Sequence, residues 1–217
     1  MQYAGKDGRL LDVGCGNGGF LLQMREVGWQ VCGVEPDPKS AAQAAAAGLD
    51  VRMGLLEDAA LPAEHFDGIT LNHVIEHLHD PIAALREGLR VLKPGGTISI
   101  STPNLQSRGY QLFGADWVGL DPPRHLVVFT PNSLRLALVS CGFEPESALR
   151  LRLVSSGMFK RSMHVRNGSD PMREKPALPA VMRLNAAWLS WQADQETCRQ
   201  PGMTEELVLL ARRPLGT

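Results

Sequence analysis

Long apolar runs, paired cysteines and a surplus of charge are all missing from this 217-residue chain. No stretch is apolar for long enough to span a bilayer, and Met1-Gln2-Tyr3 does not open a signal-peptide pattern. Cys15, Cys32, Cys141 and Cys198 are scattered with no Cys-x-x-Cys spacing, which excludes a disulfide framework and a zinc ribbon. They read as reduced, mostly buried thiols. The formal net charge is −1, so nothing draws the chain as a whole to nucleic acid or to an anionic membrane. No basic patch interleaved with aromatics is present, which speaks against a nucleic-acid substrate. Repeats are absent, and the alanine cluster 41–47 is plain helix former. What remains, 44% hydrophobic, suits one α/β domain over residues 1–217 with a substantial core and a cytoplasmic setting.

The most informative stretch runs Leu10-Leu11-Asp12-Val13-Gly14-Cys15-Gly16-Asn17-Gly18-Gly19-Phe20. A short apolar run ending in a carboxylate meets a glycine-rich turn, and an apolar-periodic segment follows: strand, tight turn, helix. Gly14, Gly16 and Gly18 are expected to leave room for a ligand against backbone, with a helix N-terminus behind them. The spacing Gly14-x-Gly16-x-x-Gly19 also satisfies the dinucleotide fingerprint, and Glu35 follows about twenty residues on, where a ribose-binding carboxylate belongs. Asp12 discriminates. A pyrophosphate is repelled by a carboxylate two residues before the first glycine, whereas a ligand bearing an ammonium and a sulfonium is attracted. S-adenosylmethionine (SAM) carries both cations and a ribose.

Strands and helices alternate along the first two-thirds. Strands are expected at Arg9–Val13, 31–35, near 51–53, at Phe66–Asn72 and at 96–102; helices at 19–27, 39–47, 81–92 and 132–141. This rhythm implies a doubly wound, Rossmann-like, mostly parallel sheet with ligands at the carboxyl ends of its strands, where Asp12, Glu35 and Asn72 fall. Beyond it, 147–154 reads as a strand and 205–211 as its closing hairpin partner. Residues 155–179 read as a mobile insertion. Residues 180–195 form an apolar-periodic helix with Val181, Leu184, Ala187, Trp188 and Trp191 on one face. That face either covers the core or makes a homodimer contact.

With these motifs in view, residues 9–145 resemble the class I SAM-dependent methyltransferases. Leu10–Phe20 is similar to their first motif, Gly33-Val34-Glu35-Pro36 to the second, Phe66–Leu78 to the fourth-strand segment and Leu92-Lys93-Pro94-Gly95-Gly96 to the turn before the fifth strand. Thr102-Pro103-Asn104, Pro123-Arg124-His125-Leu126 and Cys141-Gly142-Phe143 resemble a subgroup related to ubiquinone-biosynthesis O-methyltransferases and bacterial sugar- or polysaccharide-pathway methyltransferases. The resemblance implies a seven-stranded sheet whose last strand is antiparallel, and SAM as cofactor. It implies that the backbone around Gly14, Cys15, Gly16 and Gly18 cradles the methionine part, with Asp12 favouring its cationic end. Glu35 would take the ribose hydroxyls and Pro36 the adenine face. Glu57 or Asp58, in a loop ending at Ala59, would meet the adenine amino group, and Asn72 and His73 would line the methionine side. These enzymes usually carry helices ahead of the first strand that close over SAM; only residues 1–8 precede it here. Closure is expected from the 155–179 insertion, a partner subunit or preceding sequence.

Methyl transfer from a sulfonium is an in-line displacement that needs alignment, exclusion of water and often removal of a proton. The acceptor side is expected from a loop at about 104–126 and from the insertion at about 155–196. His125 is the candidate general base, because histidine titrates near neutrality; bracing the loop is its competing role. Tyr110 and Trp117 read as packing. Lys160, Arg161, Arg166 and Arg173 read as a solvated face, with phosphate or carboxylate binding the sharper alternative. His73-x-x-Glu76-His77 matches an inverted zinc-peptidase spacing but leaves a strand directly, so a zinc-peptidase site is not expected and Glu76 and His77 read as braces, the alternative being a divalent ion at these two that helps bind a catechol-like substrate. The expected activity is methyl transfer to a small molecule, at a hydroxyl oxygen of a sugar, quinone or phenol or at an amino-sugar nitrogen. The alternatives are an NAD-linked oxidoreductase and a non-catalytic SAM-binding subunit.

Overall fold

The apolar runs that mark the central strands are buried on both faces, and with the more exposed edge strands they assemble into one sheet. The structure, a computed structural model, describes residues 7–146, 155–168 and 179–216. Its strands are β1 (Arg9–Val13), β2 (Gln30–Glu35), β3 (Asp50–Met53), β4 (Phe66–Asn72), β5 (Leu92–Pro103), β6 (Glu144–Pro145) and β7 (Glu206–Arg212). They order as β3-β2-β1-β4-β5-β7-β6, with β1 to β5 paired in parallel and β7 antiparallel to both β5 and β6. Leu11, Ile69, Leu71, Ile98, Ile100 and Leu209 form the centre of the core, as a sheet covered on both sides requires.

The helices begin where their caps dictate. In α2 (Pro38–Ala46) and α3 (Pro81–Val91), Asp37 and Asp80 each accept a backbone N–H from three residues on, at 2.8 and 2.9 Å, and proline takes the first helical position. Thr130 and Ser133 make a reciprocal capping pair for α5 (Pro131–Ser140). Helix α1 (Gly19–Glu26) follows the glycine turn directly. The 92–96 segment, expected as a turn, is instead part of β5: its pairing with β4 jumps from Phe66–Leu92 to Gly68–Thr97 as a bulge, and Lys93 Nζ reaches both oxygens of Asp67 at 2.8 Å.

The last third departs most from expectation. Ser155–Arg166 is not an irregular insertion but a helix, α6, which buries Phe159 and Met163 against Phe113, Trp117, Ala186 and Ala193. Residues 169–178 and the strand expected at 147–154 lie outside the described residues; β6 is the strand that pairs with β7 here. In α7 (Ala180–Arg199) the buried face is Ala186, Ser190, Ala193 and Thr197. Trp188 and Trp191, expected over the core or at a contact, are 57% and 54% exposed and stack on each other. Small residues let α7 approach α6 closely, so the large side chains turn outward.

Candidate active site

The glycine turn is tied to its neighbours before any ligand is considered. Gly14 N and Cys15 N both donate to the Val34 carbonyl, at 2.7 and 3.2 Å, and Gly16 N donates to Glu35 Oε2 at 2.7 Å. The second oxygen of Glu35 accepts from Asp37 N at 2.9 Å. Glu35 is thus a buried carboxylate clamped by backbone amides, with half of its roughly four lone-pair directions still open. Gly14, Gly16 and Gly18 all hold positive φ, but they are glycines for different reasons. A Cβ at Gly14 would strike Val74 and one at Gly18 would strike Leu49, whereas one at Gly16 would meet nothing within 4 Å. Only Gly16 presents open space of the kind expected for all three. Asp12 lies beneath the turn, buried, and accepts from Thr70 Oγ1 at 2.6 Å. Burial pushes its carboxyl up to about 6, the Thr70 hydroxyl pulls down and the nearby Glu35 charge adds to the rise.

A cavity of about 400 Å³ opens at the carboxyl ends of β1, β2 and β4. Gly14, Glu35, Pro36, Glu57, His73 and His77 are among its lining residues. Glu57 and Asp58 both sit in a short 3-10 turn, Leu56–Asp58; Glu57 lines the cavity and Asp58 is not part of its wall. Ala59 packs on the core behind it, and Asn72 ends β4 exposed, outside the lining. Cys15 is buried beneath the turn, its thiol pushed up to about 12 by burial and by the Asp12 and Glu35 charges.

After β4 the chain does not form the helix a zinc-peptidase pattern needs. His73 takes a positive φ and Ile75–His77 makes a single 3-10 turn. His73 contacts carboxylates through both ring nitrogens, Nδ1 to Glu76 at 3.2 Å and Nε2 to Glu206 at 3.3 Å. Its hydrogen bonds to Glu206 and Glu76 raise it to about 9 against the opposing effect of burial, so it stands as an imidazolium at neutral pH. Glu76 is fully buried, and its other oxygen accepts from Thr102 Oγ1 at 3.0 Å.

His77 Nδ1 lies 2.9 Å from the Arg124 carbonyl oxygen, and His125 Nδ1 lies 2.8 Å from that of Gly119. The two rings meet edge to face at 4.8 Å. The His125 side chain is 9% exposed and is not part of the cavity wall; His77 is the ring of this pair that reaches it. Glu76, His77 and His125 also bring one ligand atom each within 4.8 Å of one another, which adds His125 to the pair that the sequence offered as a divalent-ion alternative. Trp117 is fully buried, as expected of packing, with Nε1 donating to Glu205 at 3.0 Å. Arg166 is spent on Asp116 and the Leu112 carbonyl. Of the predicted residues the structure therefore brings Gly14, Glu35, Pro36, Glu57 and His73 to one chamber. Asp12, Cys15 and Gly18 stand behind it and His125 beside it. Sequence reasoning missed the anchoring carboxylates Glu205 and Glu206 at the head of β7, which no motif marked.

A family model for the methyltransferase domain matches residues 1–148. The ubiquinone biosynthesis O-methyltransferase of Cereibacter sphaeroides is 34% identical over 149 residues, covering 63% of this chain and 60% of that protein. The protein of the same name from Xanthomonas oryzae pv. oryzae is 36% identical over 125 residues, covering 54% and 52%. The chain thus spans a little over half the length of these relatives. Among solved structures, the [4+2]-cyclase SpnF superposes with a TM-score of 0.66 at 22% identity, over 97% of this chain and 76% of that one. A SAM-dependent methyltransferase of Thermotoga maritima, described as a possible histamine N-methyltransferase, gives 0.60 at 18% identity, over 95% and 82%. At such identities the likeness is one of fold. Glycine turn, clamped Glu35, sheet order and family match converge: the chain belongs to the methyltransferase-domain family, and its cofactor is S-adenosylmethionine.

Proposed function

We propose that the protein moves the methyl group of SAM to a hydroxyl oxygen of a small phenol- or quinone-type acceptor. The observation that carries the reading is a cavity that joins a clamped carboxylate, Glu35, to two imidazoles, His73 and His77. The names of the curated relatives, O-methyltransferases, support oxygen as the acceptor atom.

In this reading the open lone pairs of Glu35 take the ribose hydroxyls, Pro36 packs on adenine and Glu57 accepts from its amino group. The backbone at Gly14, Cys15 and Gly16 bounds the methionine part, with Asn72 and His73 on its far side and Asp12 favouring the cationic end from beneath. Gly18, Asp58 and Ala59 support the turns that hold these groups. Bound there, the cofactor supplies an electrophilic methyl group on a sulfonium. The protein contributes alignment, a dry wall of Val13, Val34, Leu56 and Leu78, and a route for the acceptor's proton. His125 holds the loop against His77.

The test is a calorimetric titration with S-adenosylhomocysteine beside an NADH control. Saturable binding near micromolar, about −8 kcal/mol, with no response to NADH is expected. NADH binding alone would overturn the cofactor-site reading. Transfer assays on catechol, a sugar and an amino sugar then rank the acceptor classes, and transfer to the amino sugar alone would replace oxygen by nitrogen.

A further inference from the structure

The geometry points to His77 as the general base that removes the acceptor's hydroxyl proton. This inference rests on the cavity being the methyl-transfer site. The titratable side chains that line the cavity are Glu35, Glu57, His73 and His77. Glu35 is clamped by the amides of Gly16 and Asp37. Glu57 lies on the short 3-10 turn after β3 and is taken up by adenine in the proposed function. His73 offers no lone pair, because each ring nitrogen faces a carboxylate, Glu76 on one side and Glu206 on the other.

His77 differs in the chemistry of its partner. A carbonyl oxygen can only accept, so the contact from Nδ1 to Arg124 requires the proton on Nδ1. The neutral ring then carries its lone pair on Nε2, the tautomer a base needs, set by a backbone atom from a distant loop. His125, edge to face with this ring and anchored on Gly119, holds it in orientation. The charged groups around the ring are the buried Glu76, the half-exposed Arg124, and Asp121, which lies 3.9 Å from His125 Nε2 and 2.6 Å from Arg124. In the step itself, Nε2 takes the hydroxyl proton as the acceptor oxygen bonds to the methyl carbon. The carbon–sulfur bond breaks, its electron pair stays on sulfur, and the sulfur becomes neutral. The proton on His77 then passes to solvent.

Two measurements on the S-adenosylhomocysteine-binding protein test this. Nitrogen-15 ring spectra, assigned with His77→Asn, are expected to show the neutral form of the His77 ring as the Nδ1–H tautomer. A proton on Nε2 instead overturns the assignment whether or not an acceptor has been found. With catechol as acceptor, His77→Asn is the decisive variant, because its amide can still donate to the Arg124 carbonyl but has no basic atom. It is expected to lower kcat by at least about 100-fold, while S-adenosylhomocysteine affinity changes less than about twofold and His125→Asn loses far less rate. A variant as active as wild type would make the ring a brace. A divalent ion found in the active protein by elemental analysis, lost in His77→Asn, would make His77 a metal ligand and also overturn the base. Failure of the wild type to bind S-adenosylhomocysteine would be a failure of the cofactor site, separate from either result.

Discussion

At the residue scale, Asp12 and Glu35 place two carboxylates side by side under one turn, and their fates differ. Asp12 is pushed up to about 6 by burial, so near pH 5 it is mostly neutral. A cationic ligand end close by favours the ionised form and draws its pKa down. Binding then releases a proton, and S-adenosylhomocysteine, through its ammonium, should bind more tightly as pH rises from 5 to 7. Asp12→Asn should flatten that dependence in calorimetry; an unchanged slope would remove Asp12 from the role. Glu35→Ala should weaken the same ligand by roughly 1.5–3 kcal/mol through loss of charge-assisted hydrogen bonds, and it also frees the Gly16 and Asp37 amides that now hold the turn. Both residues were legible in the sequence because strand, turn and helix are local patterns. His77 was legible as a brace or a divalent-ion ligand but not as a base, since the carbonyl that sets its tautomer lies 47 residues away.

At the element scale, α4 (Arg108–Phe113) shows how the acceptor-side loop is fastened. Glu205 at the head of β7 accepts from Gly109 N at 2.7 Å and from the Trp117 indole. A Cβ on Gly109 would run into the Glu205 carboxylate and sit 2.8 Å from Trp117 Nε1. Gly109→Ala should therefore destabilise the fold by about 1–3 kcal/mol, as overpacking does, seen as a lower urea midpoint. No change would mean the loop yields freely. Apart from β5, whose start was expected four residues late, and α4, which was expected as loop, the strands and helices up to α5 could be read to within a residue or two, because apolar period and caps agree. Helix α6 could not: Ser155–Arg166 carries no continuous apolar stripe, and its order comes from Phe159 and Met163 meeting partners on α4 and α7. The same tertiary contact inverted the expectation for α7, where small residues won the inner face.

At the scale of the whole molecule, Asp12, Glu205 and His73 all hold protons more tightly folded than in an open chain, at about 6, 7 and 9. Burial is the leading cause for the two acids, and carboxylate partners for the histidine. Each acid disfavours folding progressively as pH rises from its ordinary value to its raised one. His73 contributes stability below its ordinary value that is lost as pH climbs toward 9. All three windows run in one direction, so the melting temperature should fall from pH 5 to pH 9, at about 2–4 °C per kcal/mol lost. A calorimetric scan series that rose instead would contradict these assignments. The four tryptophans divide the same molecule in another way. Trp29 and Trp117 are 7% and 1% exposed, while Trp188 and Trp191 stand in water with ring centroids 5.2 Å apart. Light thus sees two proteins in one chain: a blue-emitting interior that a dissolved quencher reaches slowly, and a red-emitting pair on α7 that it extinguishes first. Anything that comes to rest on that helix will announce itself in the colour of the emission, with no label added.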